Sequence, residues 1–301
     1  MTDLLNEPIA KNITPVARLN IPGGGQITVQ DGLAFVGHMD APNGTTIIDI
    51  KNPSKPKVLK QIFLEDELSH THKVRVAGKI MITNVEQAQR HLLRKGEQLP
   101  NVIRTLTASL NRQPDDSEIA DALGLPPSKL ADVRQFLKKG YQDGGFRVWD
   151  ISDPKNPELL SYVRTYGFGV HRFDMDENFA YISTEMEGYI GNILVIYDLS
   201  VPENPIEVSR WWMLGQHIAG GEEPDWIRYS HRLHHALRVG NEMWASVWQA
   251  GFRVIDVSDI KHPTTVAEHN YHPMVREPTH TILPVPQLIN NRRIAAVIDE
   301  E

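Results

Sequence analysis

Four histidines, His72, His171, His235 and His280, each stand at the start of a short β-prone run. In three of them a second such run begins eight residues later: Ile80-Met-Ile-Thr, Phe179-Ala-Tyr-Ile and Met243-Trp-Ala-Ser. His280 takes the same place in Pro278-Thr-His280-Thr-Ile-Leu. Neutral imidazole is a ligand for iron, copper, zinc or nickel, and the chain has no cysteine to offer a thiolate instead. Brought together, these four rings form a site for a divalent transition metal, with iron the first expectation and copper or zinc next. Acid–base groups lie close in sequence. His70 precedes His72 by two residues and so shares its strand face, His234 adjoins His235, and Glu185 and Glu187 follow the Phe179 run. Trp211, Trp212 and Trp226 flank a long loop from Gly215 to Glu223 that is placed to cover a pocket.

The elements that must position these groups are repeats. Four segments align without gaps: Thr46-Ile-Ile-Asp49-Ile-Lys-Asn-Pro-Ser-Lys-Pro56, Arg147-Val-Trp-Asp150-Ile-Ser-Asp-Pro-Lys-Asn-Pro157, Val195-Ile-Tyr-Asp198-Leu-Ser-Val-Pro-Glu-Asn-Pro205 and Arg253-Val-Ile-Asp256-Val-Ser-Asp-Ile-Lys-His-Pro263. Each reads as a strand, then a turn whose short acidic side chain accepts backbone N–H groups, then a strand opened by proline. Glycine precedes each strand, at Gly44, Gly145, Gly191 and Gly251. With the histidine-led pair of strands in front, the unit has four strands, which is the blade of an all-β propeller. The first strand of every blade lines the central channel, so repeat register is what would gather the four histidines on one axis. Gly23-Gly-Gly25 occupies the corresponding place in the first unit and reads as a close backbone approach there.

These runs resemble the LVIVD-repeat family of propellers over nearly the whole chain outside one insertion. The resemblance implies a ring of commonly seven blades, so a chain ending at Ile298-Asp-Glu-Glu301, within a fifth blade, would lack its C-terminal ones. Pro15-Val-Ala-Arg-Leu19 would suit the outer strand of a closing blade. The arrangement also resembles carotenoid-cleaving oxygenases, which hold iron with four histidines on a propeller axis, and propellers of the selenium-binding-protein type.

Between residues 89 and 141 the strand pattern gives way to helix, over Leu92–Leu110 and Asp116–Lys139, the latter a helix, a Gly-containing turn and a Ser-capped second helix. The chain thus divides into propeller (1–88), helical insertion in the second blade (89–141) and further propeller (142–301). The insertion resembles the helix-turn-helix of sigma-70 region 3. It carries nine Lys/Arg against six Asp/Glu, with Lys129, Arg134, Lys138 and Lys139 on the second helix and Asp115, Asp116, Glu118 and Asp121 on the first. Acidic residues there oppose close approach to DNA, so nucleic acid is not the expected partner. A lid, or a surface for homo-oligomer formation, is.

A net charge of −7 argues against a whole-chain binder of nucleic acid or anionic membrane. No apolar run reaches membrane-spanning length, and the N-terminus lacks a signal-peptide core, so cytoplasm is the expected compartment. Phosphate-loop, dinucleotide and nucleophile-elbow motifs are absent. The expected function is a metal-dependent propeller enzyme of oxidoreductase or oxygenase type acting on a small organic substrate. The alternatives are a non-catalytic scaffold for other proteins and a DNA-binding regulator.

Overall fold

The acidic turn is where sequence most directly dictates conformation. In the computed structural model, which describes residues 12–226 and 231–300, each repeat aspartate accepts a hydrogen bond from the backbone N–H two residues on. Lys51 N–H donates to Asp49 Oδ1 at 2.9 Å, Ser152 to Asp150 at 2.7 Å, Ser200 to Asp198 at 2.7 Å and Ser258 to Asp256 at 2.8 Å. The following strands open at Lys57, Glu158, Ile206 and Thr264, each the residue after the repeat proline. A residue without an N–H is tolerated where the ladder has not begun. Asp198→Ala should lower stability by about 1 kcal/mol, the net worth of one such bond. Denaturant unfolding would measure it, and an unchanged midpoint would remove the turn's structural role.

Strands β1 (Gly24–Gln30), β2 (Leu33–His38), β3 (Asn43–Asp49) and β4 (Lys57–Phe63) form a four-stranded antiparallel sheet in chain order. Next come β5 (Ser69–His70), β6 (Val74–Ala77) and β7 (Ile80–Gln87), then four helices: α1 (Arg90–Leu93), α2 (Leu99–Leu110), α3 (Asp116–Ala122) and α4 (Leu130–Lys139). Beyond the helices, β8 (Gly145–Asp150) pairs back onto β7 and β9 (Glu158–Arg164) pairs with β8. Strands β10 (Tyr166–Met175), β11 (Phe179–Glu185), β12 (Asn192–Asp198) and β13 (Ile206–Trp211) pair in order, and Gly169 opposite Glu86 joins β10 to β7. A second four-stranded sheet holds β14 (Leu233–Val239), β15 (Glu242–Val247), β16 (Phe252–Asp256) and β17 (Thr264–His269), and β18 (Thr279–Pro284) pairs with β19 (Ala295–Asp299). The chain is mostly β and every strand pairing is antiparallel.

The core lies between successive sheets. Phe35 and Ile47 pack on Val74, Met81 and Trp149. Ile82, Phe146 and Val148 pack on Val170, Phe173 and Ile182. Tyr181, Leu194 and Ile196 meet Leu233, Met243 and Ile255, and Trp244 with Val254 meets Ile282. Middle strands are buried while the last strand of each set is more exposed, β17 throughout. Face-to-face burial of this kind fixes register, because a one-residue slip would turn an apolar face to water.

Local expectations failed at three places. Pro15–Leu19 forms no strand, and Leu19 instead packs with Ile21 against Ala34 and Val36. The expected helix Leu92–Leu110 is broken, because Pro100 lacks an N–H and restarts the helix in the first turn of α2. The segment Asp116–Lys139 turns at Gly124, in the left-handed region, as the Gly-containing turn requires, but the entry to its second helix differs from the expected Ser cap. Ser128 lies inside a short 3-10 turn and caps nothing, whereas Asp115 and Glu118 form a reciprocal cap on α3. Of the basic residues offered to phosphates, Arg134 is held by both oxygens of Asp116 and Lys129 by Asp132. The polar N-terminal stretch before Asn12 and the final residue lie outside the described residues. No helix among the described residues is long and apolar enough to cross a membrane.

One irregularity recurs in the first strands. Val170 faces Thr184 and Arg172 faces Ser183, which leaves His171 as an extra residue. Leu233 faces Val247 and His235 faces Ser246, leaving His234, and Thr279 and Thr281 face Asp299 and Ile298, leaving His280. Between β5 and β6 the same slip occurs: His70 faces Glu86, Lys73 and Asn84 exchange hydrogen bonds, and His72 is the extra residue. These are β-bulges, which break the ladder locally and re-aim one side chain. The residues on either side, Val170 and Phe173, Leu233 and Ala236, Thr71 and Val74, Thr279 and Ile282, are all buried.

Candidate metal centre

The bulges bring buried rings into one chain of contacts. His171 Nδ1 lies 3.2 Å from Glu86 Oε2, and His171 Nε2 lies 2.9 Å from His234 Nε2. His234 Nδ1 lies 2.7 Å from the backbone carbonyl oxygen of His280. An ionised carboxylate and a carbonyl only accept, so each ring must carry its hydrogen on Nδ1. Burial pushes His171 down to about 3, although Glu86 pulls the other way, and pushes His234 well below the ordinary range, helped by His171. Neither ring takes a second proton at neutral pH. Two bare lone pairs therefore face each other at 2.9 Å inside the protein.

Glu86 anchors one end. It is fully buried, and its Oε2 accepts from His70 Nε2 at 3.1 Å, His171 Nδ1 at 3.2 Å and Arg90 Nη1 at 2.6 Å. Burial alone would raise its pKa, yet His171, His70 and Arg90 outweigh burial and hold the carboxyl well below the usual range. His72 Nε2 is 3.8 Å from the same oxygen, and Asn84 Nδ2 lies 3.4 Å from His72 Nδ1. At the other end, His280 Nε2 accepts from Arg172 Nη2 at 2.6 Å, and the His280 and His234 ring centres are 4.4 Å apart. Glu300 Oε2 lies 3.8 Å from His234 Nε2. The ligating atoms of His70, His72 and Glu86 lie within 4.8 Å of one another, as do those of His234, His280 and Glu300. His171 bridges the two groups.

Strand register changes the expected set in one respect. His234, not His235, is the bulge residue equivalent to His171. The second strand of this unit begins at Glu242, opposite Asp256 as Phe179 is opposite Asp198, so counting from Met243 slips the alignment by one. His235 is buried in register on β14, and neither ring nitrogen has a hydrogen-bond partner among the described residues. Glu185 closes β11, where its oxygens accept from Arg94 and from Phe168 N–H at 3.0 Å. Glu187 is exposed in the turn after β11. Gly25 permits the close approach read from the sequence, since a Cβ there would strike the His72 carbonyl, and Gln26 N–H donates to that oxygen at 2.8 Å. Trp211 packs in the core, while Trp212 and the Gly215 loop close on Glu222.

Sequence reasoning missed Glu86, Glu300, Arg90, Arg94 and Arg232. A signal existed for the two carboxylates. Glu86, Glu185 and Glu300 hold one repeat position, two residues beyond the strand partner of the residue after the bulge. The arginines carry no repeat signal. Arg90 opens α1 and Arg94 follows it, so the helical segment delivers both onto the carboxylates. Phe136 of α4 stacks on Phe168 with ring centres 5.7 Å apart, which fixes the helices over this end.

The LVIVD repeat family model matches residues 25–63 and 140–165. The chain carries LVIVD repeats. The matches cover nearly all of the sheet β1–β4 and the pair β8–β9, on either side of the helices. No curated protein matches this chain in sequence. Among solved structures, a computationally designed protein aligns with a TM-score of 0.47 at 7% identity, over 86% of this chain and 52% of its own. A luciferin-regenerating enzyme aligns at 0.44 and 8%, over 87% and 66%. A hypothetical selenium-binding protein from Sulfolobus tokodaii aligns at 0.39 and 12%, over 86% and 66%. The chain thus spans about half the length of the first of these.

Proposed function

We propose that this LVIVD-repeat chain is a propeller of four-stranded blades, with the helices inserted in its second blade, and that it is a metal-dependent enzyme acting on a small organic substrate. His171 and His234 are the central ligands of a divalent first-row ion; His72 stands beside them at the Glu86 end, and His280 would join at the other end only by exchanging Arg172 for the ion. The observation that carries this reading is the pair of unprotonated Nε2 atoms 2.9 Å apart. Facing lone pairs repel unless a cation lies beside both. Two imidazole nitrogens each ~2.0–2.1 Å from one ion and cis to each other stand about 3 Å apart. A neutral imidazole set with nearby carboxylates suits iron, then copper or zinc.

Such an ion, when bound, supplies Lewis acidity and, if iron or copper, one-electron redox chemistry, which favours an oxidoreductase. The chain's own residues do the rest. Glu86 accepts from His171 Nδ1–H and so holds the tautomer that frees Nε2, as the His280 carbonyl does for His234. His171 and His70, with Arg90, keep Glu86 ionised. Glu185, clamped by Arg94 and Phe168 N–H, holds α1 and its arginines over the rings.

Metal analysis of protein purified without a His-tag tests this. Wild type should hold about one equivalent of a transition metal, directly or after reconstitution, and His171→Ala and His234→Ala should lose most of it. His235→Leu should keep the metal and gain about 1–3 kcal/mol of stability, since it removes two buried unpaired nitrogens. Less than about a tenth of an equivalent in reconstituted wild type would end the proposal.

A further inference from the structure

We infer that the cavity beside His171 and His234 binds a small organic monoanion, a short-chain carboxylate, with Arg232 as its counter-ion. As the substrate class of the proposed metal centre this rests on that reading; as a binding site it stands on the observations below.

The cavity is walled by His171, His234, Arg90, Arg94, Arg232 and Glu300, with Trp248 and Leu233 as its apolar side. Arg90 and Arg94 are committed to Glu86 and Glu185. Arg232 differs. Its guanidinium lies 4.5 Å over the Trp248 ring, and no carboxylate among the described residues is within ion-pair distance of it. A guanidinium stays a cation at neutral pH. Around the rings stand four guanidinium groups, Arg90, Arg94, Arg172 and Arg232, against three carboxylates, Glu86, Glu185 and Glu300; burial lowers Lys73 to about 7, so it adds only part of a charge. A bound divalent ion would add to that excess. An enclosed positive excess is relieved by an anion, and a planar guanidinium fork matches a carboxylate with two parallel hydrogen bonds. Glu300 on the facing wall disfavours a dianion, and Trp248 and Leu233 fit a short carbon chain.

Propionate and propionamide, alike in shape but not in charge, are titrated into metal-free and cobalt(II)-loaded protein. Tryptophan fluorescence is followed in both forms and the cobalt absorption bands in the loaded one. Saturable propionate binding at least about tenfold tighter than propionamide is expected in both forms. Arg232→Gln should abolish that preference at unchanged cobalt content. Equal binding of the two ligands by wild type, which depends on no variant folding, overturns the inference. So does a preference that survives in folded Arg232→Gln, or inorganic phosphate binding more tightly than propionate. A cobalt site without the preference leaves the metal reading standing and defeats this one. The preference in protein that takes up no cobalt does the reverse.

Discussion

Glu86→Leu should destabilise the protein by about 3–5 kcal/mol, the cost of removing one partner from a buried charged pair. The carboxylate is fully buried, and a single oxygen accepts from His70, His171 and Arg90. Leucine would leave the guanidinium of Arg90 and two imidazole N–H groups without an acceptor. Glu86→Gln separates charge from shape, because its amide oxygen can take the place of Oε2 but cannot balance Arg90. It should cost less stability, yet still weaken metal binding by about 10–100-fold, the usual effect of losing an acceptor that orients a ligating histidine. Denaturant unfolding of metal-free protein gives the first quantity and competition with a chelator of known affinity the second. If Glu86→Gln binds metal like wild type, the carboxylate does not set the His171 tautomer.

Mild acid should unfold the metal-free protein. His72, His171, His234 and His235 are all held below their ordinary value of 6.5 by burial, His171 down to about 3. In the unfolded chain the same groups protonate as pH falls through 6.5, so there the unfolded state binds more protons. Stability is then fully present above that pH and is lost below it, by about 1.4 kcal/mol per pH unit for each such histidine, until the folded pKa is reached. Glu86 acts in the same direction lower down. Its depressed carboxyl contributes stability that is present above 4.5 and lost as pH falls through its folded value. Against a total of roughly 5–15 kcal/mol, several imidazoles titrating together between pH 6.5 and 5 remove a large share. Unfolding free energies at pH 7, 6 and 5 would measure the slope, and His235→Leu should reduce it by one histidine's worth. A flat profile from 7 to 5 would mean that the rings are not buried neutral in solution.

The repeat turn was readable because it rests on local chemistry. Aspartate at a fixed place accepts an N–H two residues on, and proline marks where the next ladder begins, so four turns were found from four short segments. The histidine positions were readable to within one residue. His72, His171 and His280 keep a constant distance to the following strand, but Leu233-His234-His235-Ala236 offers two candidates. Only the strand pairing, Leu233 opposite Val247 and His235 opposite Ser246, decides between them. Strand alternation reads residues two apart, and a bulge violates it. Glu86 shares a repeat position with Glu185 and Glu300, but its role also depends on Arg90 from the helical segment, and no periodicity links a helix start to a strand end. Arg232 became legible only through what surrounds it.

The bulge has a consequence for how such a chain can change. Because the extra residue stands outside the two-residue alternation, Val170 and Phe173 keep their places in the core whatever side chain lies at His171. The same position holds histidine in four units, and in the first unit glycine is required near it by the His72 backbone. Packing and ion binding are thus under separate mutational control. A lineage could exchange its ligand set, or lose it, one codon at a time without ever passing through an unfolded intermediate.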